Sequence, residues 1–369
     1  MESNNHTISI GPWRGVSSKD WHDWEWQYRN RIRTIPQLAG VLKKTPATLK
    51  KYQTVARSYP FSFTPYYFSL MNAADDNDPL RRQCFPDERE VSFSLGGLAD
   101  PLEEERDMPV PGLVHRYRDR CVAIVTHKCA TYCRHCNRKR TWRRGGIEES
   151  RGYMERMLDY VSKTGHIREV IVSGGDPLTM QERTLDWFLG SLLSIPHVEV
   201  LRIGSRVPVV MPMRITRKLC GMLRKHRPLW FNTQFNHPNE ITPEAAHACE
   251  MILEAGIPVS NQSVLLRGIN DNYETLRDLF YGLQRISVKP YYLFQCDPVK
   301  GADHFRTEMQ SGIKIMEKIW GSISGLCVPQ YVFDIPGGKG KCPLYPGSPF
   351  HMMASEAGEY FFDRAGEVN

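Results

Sequence analysis

From Gly112 onward, short runs rich in Val and Ile alternate with longer stretches of helical periodicity. The runs are Val122–Thr126, Glu169–Ser173, Val198–Ile203, Leu229–Gln234, Pro258–Leu265 and Pro290–Phe294. Short apolar runs separated by helix-length segments predict successive βα units on a parallel sheet. Six units suggest an incomplete barrel, so an α/β fold of the partial (β/α)6 TIM type is expected, with functional groups on loops at the carboxyl ends of the strands. Cys327–Asp334 reads as one more strand, leading into a stretch of glycine and lysine.

The residues before this alternation have a different texture. Trp21, Trp24, Tyr28 and Ile32 lie at helical spacing, predicting an amphipathic helix over 20–32 entered from Ser17 or Ser18, its aromatic stripe serving packing. A second helix is expected from Thr45 to about Arg57. The segments 75–79 and 98–111 read as loops, with 103–107 a solvated acidic face. The chain therefore divides into a helical N-terminal region (1–111), the partial barrel (112–326) and a short C-terminal segment (327–369). No run approaches the ~18 apolar residues of a membrane span. The polar N-terminus lacks a signal-peptide core, so a cytoplasmic protein with no membrane partner is expected.

The first run exits into Cys129-Ala-Thr-Tyr-Cys133-Arg-His-Cys136. Three thiolates from one tight loop can each hold one iron of a four-iron cluster, leaving the fourth iron free to bind a small molecule. A zinc knuckle with His127 or His135 as fourth ligand is the alternative, but no second pair of ligands follows at zinc spacing. The other seven of the ten cysteines are scattered, as expected of reduced thiols. The net charge of +7 is concentrated near the cysteines, at Arg134, Arg138, Lys139, Arg140, Arg143 and Arg144, and just before them at Arg116, Arg118 and Arg120. Such a cluster fits phosphate and carboxylate ligands at least as well as nucleic acid. An iron–sulfur RNA-binding or RNA-modifying protein is the competing reading, and no nucleic-acid partner is expected.

The C-x3-C-x2-C spacing resembles the signature of radical S-adenosylmethionine enzymes. More narrowly, His115-Arg-Tyr-Arg-Asp-Arg120, Tyr132-Cys-Arg-His-Cys136, Ser173-Gly-Gly-Asp-Pro177 and Pro336-Gly-Gly-Lys-Gly-Lys341 resemble, in order, the lysine 2,3-aminomutase group. The resemblance implies a [4Fe-4S] cluster on Cys129, Cys133 and Cys136. It implies S-adenosylmethionine contacts from Ser173, Gly174, Gly175, Asp176, Gln262 and His135. Gln234 stands where the family would place a histidine. Pyridoxal phosphate is implied as a second cofactor, its phosphate held by Arg116, Tyr117 and Arg120 and its carbonyl by Lys341. Lys339 interrupts the family's glycine run and is a second candidate for that lysine.

For the substrate, the resemblance implies that Arg138 fixes the carboxylate while Asp297 and Asp334 grip the distal ammonium of lysine. Two carboxylates suit a cation and repel an acidic side chain, which disfavours glutamate but leaves arginine, or a lysine side chain on a protein, as alternatives. The activity implied is movement of the α-amino group of L-lysine to its β-carbon by a 5′-deoxyadenosyl radical. The partners implied are a basic amino acid and a one-electron reductant such as flavodoxin or ferredoxin. Asn272 stands where a zinc-binding relative would place a cysteine, so zinc is not expected, and a homo-oligomer, a dimer rather than the family's tetramer, is.

Overall fold

The computed structural model describes residues 11–42, 44–142 and 150–345, with the backbone of 350–354 and 360–364. Nine strands form one sheet in sequence order: β1 (Leu113–Tyr117), β2 (Arg120–Ile124), β3 (Glu169–Ser173), β4 (Val200–Gly204), β5 (Leu229–Thr233), β6 (Val259–Leu265), β7 (Lys289–Gln295), β8 (Gln330–Asp334) and β9 (Lys341–Pro343). Strands β2 to β8 run parallel, each beside its predecessor. Strands β1 and β9 are antiparallel additions at the two edges. The first and last strands do not pair, so the curled sheet is an open half-barrel, as expected, with a seventh parallel strand.

Strand periodicity separates the core from the lumen. On β3, Val170 and Val172 are fully buried beneath the helices, while Glu169, Ile171 and Ser173 line the interior of the barrel. The covering helices carry their apolar residues on one face; Glu182–Leu193 contributes fully buried Leu185, Phe188, Leu189 and Leu192 to the core shared with Leu201 and Ile203. Asn272 is the N-cap of the helix Tyr273–Arg285, accepting from the Thr275 amide. No described helix is long and apolar enough to cross a membrane.

The N-terminal region is a set of short helices folded over the carboxyl ends of the strands. The helix expected over 20–32 is two pieces, Ser18–Trp21 and Trp24–Arg29, because Asp23 caps the second by accepting from the Glu25 amide. Ser17 caps the first and Thr45 caps Pro46–Ser58. Phe61, Phe63, Phe68 and Phe85 stack beneath them, Phe63 and Phe85 with ring centres 4.8 Å apart. From this base the region grips the loops after three strands: Ser62 accepts from the Tyr132 amide, Thr64 donates to the Val210 carbonyl at 2.5 Å, and Leu98 donates to the Pro298 carbonyl.

Candidate active site

A cavity of about 660 Å³ fills the lumen. Cys129, Cys133, Cys136, His135 and Arg138 line it from the loop after β2, and Ser173, Gly174, Gly175 and Asp176 from the loop after β3. Gln234 and Gln262 line its wall, Arg116, Tyr117 and Arg120 its opposite end, and Asp297, Asp334 and Lys341 the side formed by β7 to β9. The fold thus gathers residues spread over more than two hundred positions onto one surface. Arg116, Tyr117 and Arg120 do not obey the carboxyl-end rule, because they sit at the β1–β2 turn, at the amino end of β2. The five residues of β2 therefore separate the basic end from the cysteine end by roughly 16 Å.

The cysteine loop is held from behind by buried charge. Arg134, with no exposed side-chain surface, meets Glu90 through Nε and Nη2, the latter at 2.5 Å, and Lys139 reaches the same carboxylate at 2.7 Å. Burial alone would raise the Glu90 carboxyl, but Arg134 and Lys139 hold it below its ordinary value. Arg206, from the loop after β4, donates from Nη1 to Cys133 Sγ at 2.8 Å and from Nη2 to Glu240 at 2.7 Å and Gln83 at 2.6 Å. Burial and neighbouring Cys133 push Cys136 up to about 11, and burial with Asp176 pushes Cys129 well above its usual range. Such thiols lose their protons readily only when a metal binds the thiolate sulfur, the proton going to solvent. The three thiols suit separate corners of a cluster.

The two glycines after β3 also let this turn approach the cysteine loop closely. A Cβ on Gly174 would lie 2.4 Å from the Thr126 carbonyl oxygen, and one on Gly175 2.4 Å from that of Lys128. Their absence lets the Gly175 and Asp176 amides donate to those carbonyls, fastening this turn to the cysteine loop. Asp176 spends its carboxylate on Ser205 Oγ and the Leu178 and Arg206 amides. Its burial nonetheless lifts it to about 6. Burial and Arg206 keep His135 neutral; its Nε2 lies 3.3 Å from the Gln234 amide nitrogen, while its Nδ1 is buried without a protein partner.

At the far side, Lys341 pairs with Asp334 at 2.7 Å across the β8–β9 register, its Nζ 5.0 Å from the centre of the Phe294 ring. Lys339 is exposed and does not line the cavity. Gly337, Gly338 and Gly340 all have positive φ, bending the chain so that Lys341 starts β9 inside the mouth. Asp297 is half-buried; Asn137 hydrogen-bonds its carboxylate, but its buried Oδ1 accepts from nothing. Burial, then Asp334, push its carboxyl up to about 7. An unpaired buried acceptor beside a second carboxylate is a site for a cationic donor.

The basic residues near the cysteines prove to be largely paired inside the protein. Arg138 makes a two-pronged contact with Glu104 at 2.6–3.0 Å, and Arg140 meets Glu104 and Asp100 at 3.1 Å. Glu104 is thus no solvated residue: it is 4% exposed, and despite its burial Arg138 and Arg140 hold its carboxyl down to about 2. Asp119 pairs with Arg120, and Arg120 lies 4.0 Å over the Tyr117 ring. Arg116 is anchored by Asp107 at 2.7 Å and by the Leu102 carbonyl. Arg143 and Arg144 lie outside the described residues. Sequence reasoning missed Arg206, Glu104 and the lumen pair Arg202–Glu169. Arg206 follows a strand's carboxyl end, the one signal that could have found it.

A three-cysteine loop at the carboxyl mouth of an open βα half-barrel defines a radical S-adenosylmethionine enzyme, and residues 123–280 match the Radical SAM superfamily. The chain is 47% identical over 339 residues to L-lysine 2,3-aminomutase of Clostridium subterminale, covering 90% of this chain and 80% of that one. It is 41% identical over 341 residues to L-lysine 2,3-aminomutase of Bacillus subtilis (92% and 72% covered). It is 39% identical over 351 residues to glutamate 2,3-aminomutase of Clostridioides difficile (95% and 82% covered). The chain belongs to the lysine 2,3-aminomutase family.

Proposed function

We propose that this protein is a 2,3-aminomutase for a basic amino acid, L-lysine foremost, using a [4Fe-4S] cluster, S-adenosylmethionine and pyridoxal phosphate. The observation that carries the choice of a cation is the pair Asp297 and Asp334, with one buried carboxylate oxygen lacking any donor. The glutamate-named relative is the natural rival, but a glutamate side chain at this place would set a third carboxylate against two, costing several kcal/mol when desolvated.

Cys129, Cys133 and Cys136 would hold the cluster, and the 173–176 turn, His135 and Gln262 the S-adenosylmethionine. Arg116, Tyr117 and Arg120 would bind the phosphate of the pyridine cofactor and Lys341 its carbonyl carbon. Cluster and S-adenosylmethionine together supply a 5′-deoxyadenosyl radical, and the pyridine ring a π-system across which an amino group can migrate. Arg138, oriented by Glu104, faces the substrate carboxylate with a guanidinium whose rotation is already restricted. Asp297 accepts the distal ammonium. The N-terminal region holds the loops around the mouth and lends Leu102 and Glu104 to the cavity lining, which would help keep solvent hydrogen from a radical formed inside.

Anaerobically reconstituted protein, reduced and given L-lysine, L-arginine or L-glutamate separately, tests this reading. The β-isomer of lysine is expected; a β-isomer from glutamate alone would overturn the assignment of Asp297 and Asp334.

A further inference from the structure

Arg206 enters the site from the loop after β4 and is 7% exposed. Its backbone amide donates to Asp176 Oδ2 at 2.8 Å, its Nε to the Gln234 carbonyl at 3.2 Å, and its Nη2 to Glu240 at 2.7 Å and Gln83 at 2.6 Å. These partners belong to the turn after β3, the segment after β5 and the N-terminal region, so the guanidinium is fixed from three directions. The remaining arm, Nη1, donates to Cys133 Sγ at 2.8 Å. A planar fork held at its other donors cannot swing away from the sulfur without giving up buried hydrogen bonds.

Glu240, with no exposed surface, anchors the other arm. Its carboxylate also accepts from Tyr67 Oη at 2.6 Å, from Gln83 Nε2 at 3.2 Å, and from the Asn236 and His237 amides at 2.6 and 3.0 Å. The pair therefore presents its cationic end to the cysteine loop and keeps its anionic end behind. Cys136 Sγ accepts a neutral donor instead, the Arg138 backbone amide at 3.4 Å. The charge-assisted contact falls on Cys133.

Resting on the cluster assigned above, we propose that Arg206 sets the cluster's reduction potential: its N–H···S bond to Cys133 makes the cluster easier to reduce, and Glu240 moderates the effect. Reduction brings in one electron from an external donor, and no atom is transferred. The added negative charge spreads over iron and sulfur, so a cation donating to a coordinating sulfur stabilises the reduced form more than the oxidised one. Burial strengthens that interaction, because little water is present to screen it. Glu240 acts in the opposite sense and more weakly, since it meets the far arm of the guanidinium. Arg206 works through Cys133, which makes it a positioning residue and not a catalytic one.

The test compares wild type, Arg206→Met and Glu240→Gln, each reconstituted anaerobically to equal iron and sulfide content. Midpoint potentials are measured without S-adenosylmethionine, by poising samples with low-potential mediators and integrating the EPR signal of the reduced cluster. Arg206→Met is expected to lower the ratio of reduced to oxidised cluster about tenfold at a fixed poise, a negative shift of about 59 mV for one electron. Glu240→Gln keeps Arg206 in place and is expected to raise the same ratio about threefold. An unchanged potential in Arg206→Met overturns the inference, all the more if equilibrium dialysis shows weakened S-adenosylmethionine binding, since Arg206 would then serve the ligand and not the cluster. Should Arg206→Met fail to hold a cluster, Glu240→Gln decides: a raised potential supports the inference, and a level or lowered one overturns it. A wild-type protein with no reducible cluster would remove the cluster reading and this inference together, whereas the other failures leave the cluster reading standing.

Discussion

The two sides of the cavity are built on opposite principles. Behind the cysteine loop the buried charges are matched: Arg134 and Lys139 share Glu90, Arg206 meets Glu240, and Arg138 with Arg140 meets Glu104. Across the lumen the charges are left short, with Asp297 holding an orphan oxygen and Lys341 exposed enough to leave Asp334. Matched buried pairs fix geometry, which suits a centre that must stay in place. Unmatched groups raise the free energy of the empty site and return it when a ligand supplies the missing partner. The contrast separates a permanent fixture from an exchangeable occupant, and it can be broken from either side.

The largest effect is expected at the unmatched side. Lys341→Ala should abolish retention of pyridoxal phosphate, read as loss of its visible band after gel filtration, while Lys339→Ala keeps it; the reverse would move the attachment point. Next comes the matched side. Glu90→Ala leaves two cations buried without an anion and should cost about 3–5 kcal/mol of stability, seen as a lowered melting temperature of the reconstituted enzyme. An equal loss from Asp297→Ala would erase the contrast, since removing a carboxyl with one buried oxygen left without a donor should leave the melting temperature level or raise it. Asp297→Asn should instead weaken lysine binding by about 2 kcal/mol or more, at least thirtyfold in KM, with the cluster's absorbance intact.

How far the sequence reveals this division follows from how local each signal is. The cysteines, the parallel strands and the glycine-bent Lys341 are written in contiguous residues, so their elements and cavity positions are legible. The β1 strand is not, because His115-Arg-Tyr117 carries no apolar alternation and pairs only through the hairpin turn. The matched charges escape for a related reason: Glu104 meets Arg138 across 34 residues and Glu90 meets Arg134 across 44, and nothing local distinguishes them from solvated acids. Likewise Gly174 and Gly175 are legible as a turn, but their partner, the cysteine loop, is a tertiary contact. Chain order reveals which groups can do chemistry; only folding shows which are already engaged.

The smallest effect sharpens the comparison by pH. The Asp297 carboxyl lies at about 7 in the substrate-free protein, raised from a usual value near 4. A raised carboxyl binds its proton more tightly folded than unfolded, so its contribution to stability is full below about pH 4 and is lost as pH rises through about 7. Substrate reverses the sign: an ammonium prefers the ionised carboxylate, so binding below pH 7 must first expel a proton. Apparent affinity for lysine should therefore fall about tenfold between pH 8 and pH 6, and Asp297→Asn should flatten that dependence. Glu104, held at about 2, stays ionised over the same range and contributes no slope. A titration of lysine binding that stays level from pH 6 to 8 in the wild type would mean that Asp297 already has a cationic partner, and the distinction between the two sides of the cavity would fall with it.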